Sequence, residues 1–263
     1  MATLLDEQNE TRPTELAATS DRLAVIVPVY NEERTVAELL LRLEAQPCVS
    51  QIIIVDDGST DGTWEELAPW RARADSGRAA RVSDHDSLSV IVFQHDKNRG
   101  KGRAIRTALD QVSGTHVLIQ DADLEYDPAD ITKLWEVMQS GIADVVYGSR
   151  YLENPQLQKG RFVLQSGVRI LNLLTRLFYG VHLTDQATCY KMFRTNILKS
   201  IKLKEKRFGF EPEVTQKVAR IPKIRIYEVG ISYYGRTFEE GKKINWKDGF
   251  HAIYCVLRYG LFK

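Results

Sequence analysis

Asp121-Ala122-Asp123-Leu124-Glu125 places three carboxylates at positions i, i+2 and i+4 of one short stretch. Held so close they repel one another, and a cation between them removes the repulsion. Their oxygens are hard ligands, which suits Mg2+ or Mn2+. A nucleotide diphosphate would complete the shell of such an ion, and the ion would stabilise charge developing on a leaving phosphate. The plain alternative is an acidic loop leading into a helix at Pro128, since acidic side chains are favourable at a helix N-terminus.

Asp56 and Asp57 form a second acidic pair. Carboxylates at a strand end accept hydrogen bonds from a base N–H or a ribose hydroxyl. Capping of the turn at Gly58-Ser59 would account for one of them. Tyr30-Asn31-Glu32 could lie against a base and bond its edge, or could cap the following helix. Asn98 and the turn Gly100-Lys101-Gly102 would let backbone approach a bound nucleotide, although many surface turns have this composition.

These clusters need a frame. Leu23 to Val29 is a continuous apolar run with β-branched residues, as in a strand buried on both faces. A helix over 34–46 would put Val36, Leu39, Leu40 and Leu43 on one face. Further strands are predicted at 51–55, 88–93, 116–120 and 144–148, with 71–87 as a surface loop. Helices are predicted from Thr63, from 102 to 112, and over 128–140 with Pro128 in the first turn. The alternation predicts an α/β protein with a doubly wound, mostly parallel sheet. Ligands bind such sheets beyond the carboxyl ends of the strands. Tyr30–Glu32, Asp56–Asp57 and Asp121–Asp123 follow the first, second and fourth predicted strands.

Beyond residue 150 the pattern changes. An apolar-rich helix is predicted over 161–179, another over 211–220, and a strand over 223–231. A Gly-rich basic loop at 235–243 precedes a last amphipathic helix from Trp246 to Phe262. Glu211 and Glu213, in Phe208 to Glu213, either face sugar hydroxyls or charge a helix N-terminus.

The chain has 263 residues, 43% of them hydrophobic, enough for a sizeable core. The net charge of +1 conceals an asymmetry. Residues 1–149 carry 14 Lys and Arg against 26 Asp and Glu, and residues 150–263 carry 22 against 9. An acidic half suits a metal, and a basic half suits phosphates or an anionic membrane surface. Two solvated surfaces of opposite sign are the simpler account. Cys48, Cys189 and Cys255 are far apart and odd in number, which suggests neither a zinc site nor a disulfide framework. No apolar run reaches the roughly 20 residues that span a bilayer, and the polar, acidic N-terminus is unlike a signal peptide. A cytoplasmic location, or the cytosolic face of a membrane, is therefore expected.

Val27 to Glu32, Val55 to Gly62, Asn98 to Gly102 and Asp121 to Asp123 occur in an order that closely resembles the family 2 glycosyltransferases. Gly148-Ser149-Arg150 and Arg236 to Lys243 resemble the polyprenyl-phosphate (dolichyl-phosphate) mannose or glucose synthase branch, and the likeness runs from about residue 22 to 245. The resemblance implies a GT-A fold, an inverting transfer and Mg2+ or Mn2+. By position it implies that Pro28, Tyr30, Glu32 and Asp57 hold the nucleoside, with Asp56, Lys101 and Gly102 beside the donor. Asp121, Ala122 and Asp123 would contact diphosphate and metal. Glu125 stands where this branch often has Gln and would be a third metal ligand. Arg150, Arg236 and Lys242 would bind phosphates. Asp185 matches the family's acceptor-side Asp. With a hydroxyl acceptor it would be the general base, whereas a phosphate acceptor is already an anion and needs none. Asp185, Asp123 and Arg236 are thus the catalytic candidates, and Lys191 a further phosphate contact or buttress.

The expected division is a disordered tail over 1–20, a GT-A catalytic domain over 21–245 with a basic C-terminal acceptor-side region, and an amphipathic helix over 246–263. Many relatives carry transmembrane helices after the catalytic domain, whereas this last stretch is amphipathic and suits a membrane interface or a core-packing role. The expected partners are a GDP- or UDP-hexose, a lipid-phosphate acceptor and a membrane surface, with no nucleic acid.

Overall fold

Runs of apolar, β-branched residues form the strands. β1 (Leu23–Val29) and β2 (Val49–Asp56) are buried almost throughout, as expected of strands covered on both faces. They are joined by β3 (Ser89–Gln94), β4 (His116–Ile119), β5 (Val145–Ser149), β6 (Lys191–Arg194) and β7 (Ile226–Gly230). A computed structural model describes residues 21–76, 88–153, 162–236 and 246–262. The expected tail at 1–20, Lys242 with most of the basic loop, the boundary at 245, Lys263 and the side chains of Phe162, Trp246 and Lys247 lie outside the described residues.

The strands form one sheet in the order β3-β2-β1-β4-β6-β5-β7. All neighbours are parallel except β6, which runs antiparallel to both β4 and β5. The expected doubly wound, mostly parallel sheet is present, with one reversed strand in its middle. In the Val36–Glu44 helix, Val36, Leu39, Leu40 and Leu43 are fully buried, each worth about 1.5–3 kcal/mol of hydrophobic stabilisation.

Some boundaries differ from the sequence reading. The first helix starts at Val36 because the amides of Thr35 and Val36 bond back to the Glu32 carbonyl in a turn. The helix expected from Thr63 is split into Thr63–Glu66 and Ala68–Asp75, with Pro69 at the start of the second piece, where its missing N–H is harmless. The segment from Pro128 opens as a 3-10 turn, capped by Asp127 accepting from the Ala129 amide at 3.0 Å, and continues as Ile131–Gln139.

The Phe162–Tyr179 and Trp246–Leu261 helices pack on each other. They keep outward apolar stripes: Ile170, Leu173 and Leu177 on one, Phe250, Tyr254 and Leu261 on the other, all exposed. Among the described residues no helix is long and apolar enough to cross a membrane.

Candidate active site at the strand edge

One edge of the sheet collects the polar clusters. Tyr30–Glu32 follow β1, Asp57 follows β2, Asp121–Asp123 follow β4, Arg150 follows β5 and Arg236 follows β7. Because β6 is reversed, its beginning reaches the same edge, so Asp185 arrives there from the segment that precedes it.

Asp56 and Asp57 are buried, and intra-chain partners occupy both. Asp56 accepts from the Ser59 amide (3.1 Å) and hydroxyl (2.5 Å) and from Gln94 Nε2 (3.0 Å). Asp57 accepts from the amides of Arg99 (3.0 Å) and Gly100 (2.6 Å) and lies 2.6 Å from His95 Nδ1. A turn cap accounts for one of the pair, as expected, and that one is Asp56. Both carboxylates stitch the loops together, because buried carboxylates must find donors. Beside them a cleft of about 370 Å³ opens between Tyr30, Gly58, Ser59, Thr60 and residues 94–98. Asn31, at φ 51°, holds the Ser59–Thr60 wall: its backbone amide donates to Ser59 Oγ (2.9 Å) and its side-chain Oδ1 accepts from the Thr60 amide (2.8 Å). Pro28 is buried in β1 opposite Val55.

Gly100 and Lys101-Gly102 form a helix start rather than a turn. Gly100 precedes the Lys101–Leu109 helix at φ 92°, ψ 152°, a region open essentially to glycine alone. A Cβ at Gly100 or Gly102 would collide with the carbonyl oxygens of Lys206 and Glu205. Gly100→Ala is therefore expected to cost at least about 2 kcal/mol, measurable as a loss of thermal stability.

Lys101 is carried by this close approach to the metal-type cluster. Its Nζ lies 2.7 Å from Asp121 Oδ1 and 2.6 Å from Glu211 Oε1. Burial works against its charge, yet the carboxylates, Asp121 foremost, hold its pKa well above the ordinary range. Asp123 has a different environment. Burial first, then the neighbouring Asp121 and Glu125 carboxylates, push its carboxyl up to about 7. It accepts one bond, from the Glu125 amide at 3.1 Å. The intervening Leu124 sits at φ 59°, rare for a large side chain and a sign of local strain. Hard oxygens with surplus negative charge fit a divalent cation. Asp123 and Asp121 are the residues that would hold it.

Glu125, the expected third ligand, has a partner on each oxygen. It is buried, one oxygen accepts from Tyr233 Oη (2.6 Å), and the other accepts from the Arg236 amide (2.7 Å). A metal on Glu125 would use the second lone pair of an oxygen that already accepts one bond. Arg236 crosses the acidic turn: its guanidinium donates to the Asp123 carbonyl (2.6 and 2.9 Å) and to Glu32 Oε2 (2.8 Å). Ala122 is buried beneath.

Arg150 and Asp185, given separate roles in the sequence reading, face each other. Arg150 Nε donates to Asp185 Oδ2 (2.6 Å), Nη2 to Oδ1 (2.8 Å), and the Arg150 amide to Oδ2 (3.2 Å). Asp185 is fully buried. Glu228 accepts from the amides of Thr184 and Asp185 at 2.7 and 2.9 Å and so fixes the backbone beneath. Three residues of this edge went unread in the sequence: His95 on Asp57, Tyr233 on Glu125, and Glu228. No local pattern marks them, since each acts on a partner far along the chain. Lys191 points inward, bonds the Thr188 carbonyl and sits 5.0 Å over the Tyr147 ring, a buttress by contact.

A family model described as Glycosyl transferase family 2 matches residues 24–202. The undecaprenyl-phosphate mannosyltransferase of Micrococcus luteus is 31% identical over 252 residues, covering 91% of this chain and 94% of that protein. The dodecaprenyl-phosphate galacturonate synthase of Rhizobium johnstonii is 28% identical over 81% of this chain, which spans only 59% of that longer relative. Glucosyl-3-phosphoglycerate synthase from Mycobacterium tuberculosis, solved with Mn2+, UDP and phosphoglyceric acid, superposes with a TM-score of 0.65 at 19% identity, over 93% of this chain and 80% of that one. That likeness is one of fold, and it places the sheet described above in the GT-A class. With the family model covering most of the sheet and its strand-edge carboxylates, the chain belongs to glycosyl transferase family 2 and is a glycosyltransferase.

Proposed function

We propose that the enzyme moves a hexose, of mannose or glucose type, from a GDP- or UDP-sugar to the phosphate of a polyprenyl phosphate, inverting the anomeric carbon. The single observation that carries the acceptor class is the Asp185–Arg150 fork. With both oxygens of a fully buried Asp185 engaged by one guanidinium, this acceptor-side carboxylate is not poised to take a proton. A phosphate monoester needs none. Its oxygen attacks the anomeric carbon as the bond to the diphosphate breaks, and the electron pair leaves with the nucleotide. The names of the Micrococcus and Rhizobium relatives, both polyprenyl-phosphate enzymes, support the same acceptor.

In this reading the cleft beside Tyr30 takes the nucleoside, its size being ordinary for a small-molecule site. Asp121 and Asp123 hold Mg2+ or Mn2+, which when bound neutralises charge on the leaving diphosphate. Arg236 and Lys101 add positive charge on the same side, and Lys242 is proposed as a further phosphate contact. The exposed stripe of Ile170, Leu173, Leu177 and Phe250, flanked by the exposed Arg169 and Arg176, suits the surface of an anionic membrane where the lipid acceptor resides.

The test is an acceptor panel. With Mn2+ and labelled GDP-mannose or UDP-glucose, label is expected on undecaprenyl phosphate in phospholipid vesicles and not on the free alcohol or on sugar hydroxyls. Transfer to hydroxyl acceptors with the lipid phosphate inert would overturn the reading.

A further inference from the structure

A second group of ligand-type side chains lies away from the strand edge. On the Trp246–Leu261 helix, His251, Cys255 and Tyr259 recur every four residues and so share a face. That face meets Glu205. His251 Nε2 lies 2.8 Å from Glu205 Oε2, and Cys255 Sγ lies 3.5 Å from the same nitrogen. The ligand atoms of Glu205, His251 and Cys255 all fall within 4.8 Å of one another. Tyr259 Oη donates to the other Glu205 oxygen at 2.6 Å, fixing the carboxylate as outer hydrogen bonds fix ligands in metal sites.

Two observations argue that this is more than a polar contact pinning a helix. A Cβ on Gly209 would stand 2.7 Å from Glu205 Oε2 and 3.0 Å from Cys255 Sγ. The missing side chain lets two of the three ligand atoms pack against the Gly209 backbone, where any Cβ would push them aside. His251, half exposed, gives access from solvent. A helix pin would need the carboxylate and the imidazole alone, and the buried thiol adds little as a hydrogen-bond partner. One sulfur, one imidazole nitrogen and one carboxylate oxygen are instead a ligand set for a borderline-soft ion with a fourth position left open. Hard Mg2+ or Mn2+ would favour the oxygens of Asp121 and Asp123, so the two sites would sort metals by softness.

We propose that Glu205, His251 and Cys255 bind one Zn2+, with water as the fourth ligand. On binding, the thiol proton passes to solvent and His251 presents an unprotonated Nε2, its ring proton held at Nδ1. Thiolate and carboxylate then balance the charge of the ion. The site clamps the last helix to the segment around Glu205 and Lys206, whose carbonyls pack on Gly102 and Gly100 beside Lys101. It joins the apolar outer helix to the nucleotide side of the enzyme.

The test uses Co2+ as an optical stand-in for Zn2+, on the full chain with Asp121→Asn and Asp123→Asn present. One equivalent is expected to give a thiolate-to-cobalt charge-transfer band, displaced by Zn2+ and accompanied by proton release. Cys255→Ser is expected to erase the band and Cys48→Ser to leave it. His251→Ala, at a half-exposed position that tolerates substitution, is expected to weaken Co2+ binding by at least about 100-fold. Absence of the band at millimolar Co2+ would overturn the site. So would its persistence in Cys255→Ser, or unchanged affinity in a folded His251→Ala protein.

Discussion

Asp123→Asn is expected to lower sugar transfer by at least about 10³-fold while leaving the fold as stable as before or slightly more so. The side chain keeps its shape and its acceptor oxygen for the Glu125 amide. What it loses is the charge. In the protein alone that charge is unfavourable, since burial and two neighbouring carboxylates hold the carboxyl at about 7. In the loaded enzyme the same charge is what would secure the cation against a departing diphosphate. Metal stabilisation of such charge is worth several kcal/mol, and each 1.36 kcal/mol is tenfold in rate. Initial rates at saturating donor, paired with a thermal melt, check both halves. Near-normal turnover would remove Asp123 from the metal role, and a large fall in melting temperature would make the rate loss uninformative.

Asp185→Ala is expected to cost about 3–5 kcal/mol of folding stability, because it leaves the Arg150 guanidinium buried without its counter-charge. Urea denaturation measures this directly. The double variant Asp185→Ala, Arg150→Met is expected to recover much of the loss, since removing both members of a buried pair is far cheaper than removing one. A general base would behave differently, with rate collapsing at unchanged stability and the second substitution restoring nothing. That pattern would revive the hydroxyl-acceptor reading, in which Asp185 takes a proton.

The frame of the molecule was legible because β1 and β2 are buried on both faces and so are written in unbroken apolar runs. β6 was not legible. It has four residues, Lys191 to Arg194, and begins with a lysine that no periodicity assigns to a core. Burial lowers that ammonium to about 8, and the Thr188 carbonyl, the Tyr147 ring and the nearby Glu211 carboxylate offset part of that cost. Missing β6 also hid why Asp185 reaches the carboxyl edge.

At the site, the positions of the acidic residues were readable from strand ends, but their partners were not. Asp57 looks available in the sequence, yet the amides of Arg99 and Gly100, more than forty residues away, converge on it. Glu211 was weighed as sugar-facing or as a helix-end charge. It does sit in the first turn of the Phe210–Ala219 helix, and it is also the counter-ion of Lys101, 110 residues earlier. Arg150 and Asp185 each matched a family position, and nothing local indicated that they would bind each other. His251 and Cys255 are a helical i, i+4 pair, but the pair acquires a meaning only when Glu205, 46 residues away, lies against it.

The reversed β6 also bears on how the chain is made. β5 has only β6 and β7 as neighbours, and both are synthesised after it. β1 to β4 can pair as they emerge, while β5 waits for about forty further residues, some two to eight seconds at ordinary rates of elongation. The Arg236–Glu32 bond, spanning 204 positions, closes later still. A nascent chain therefore holds a nearly complete parallel half-sheet, with the free edge of β4 open to foreign strands, until its final quarter arrives. Protection of that edge during synthesis, rather than the stability of the finished enzyme, is where a slow codon run or a scarce chaperone would be felt first.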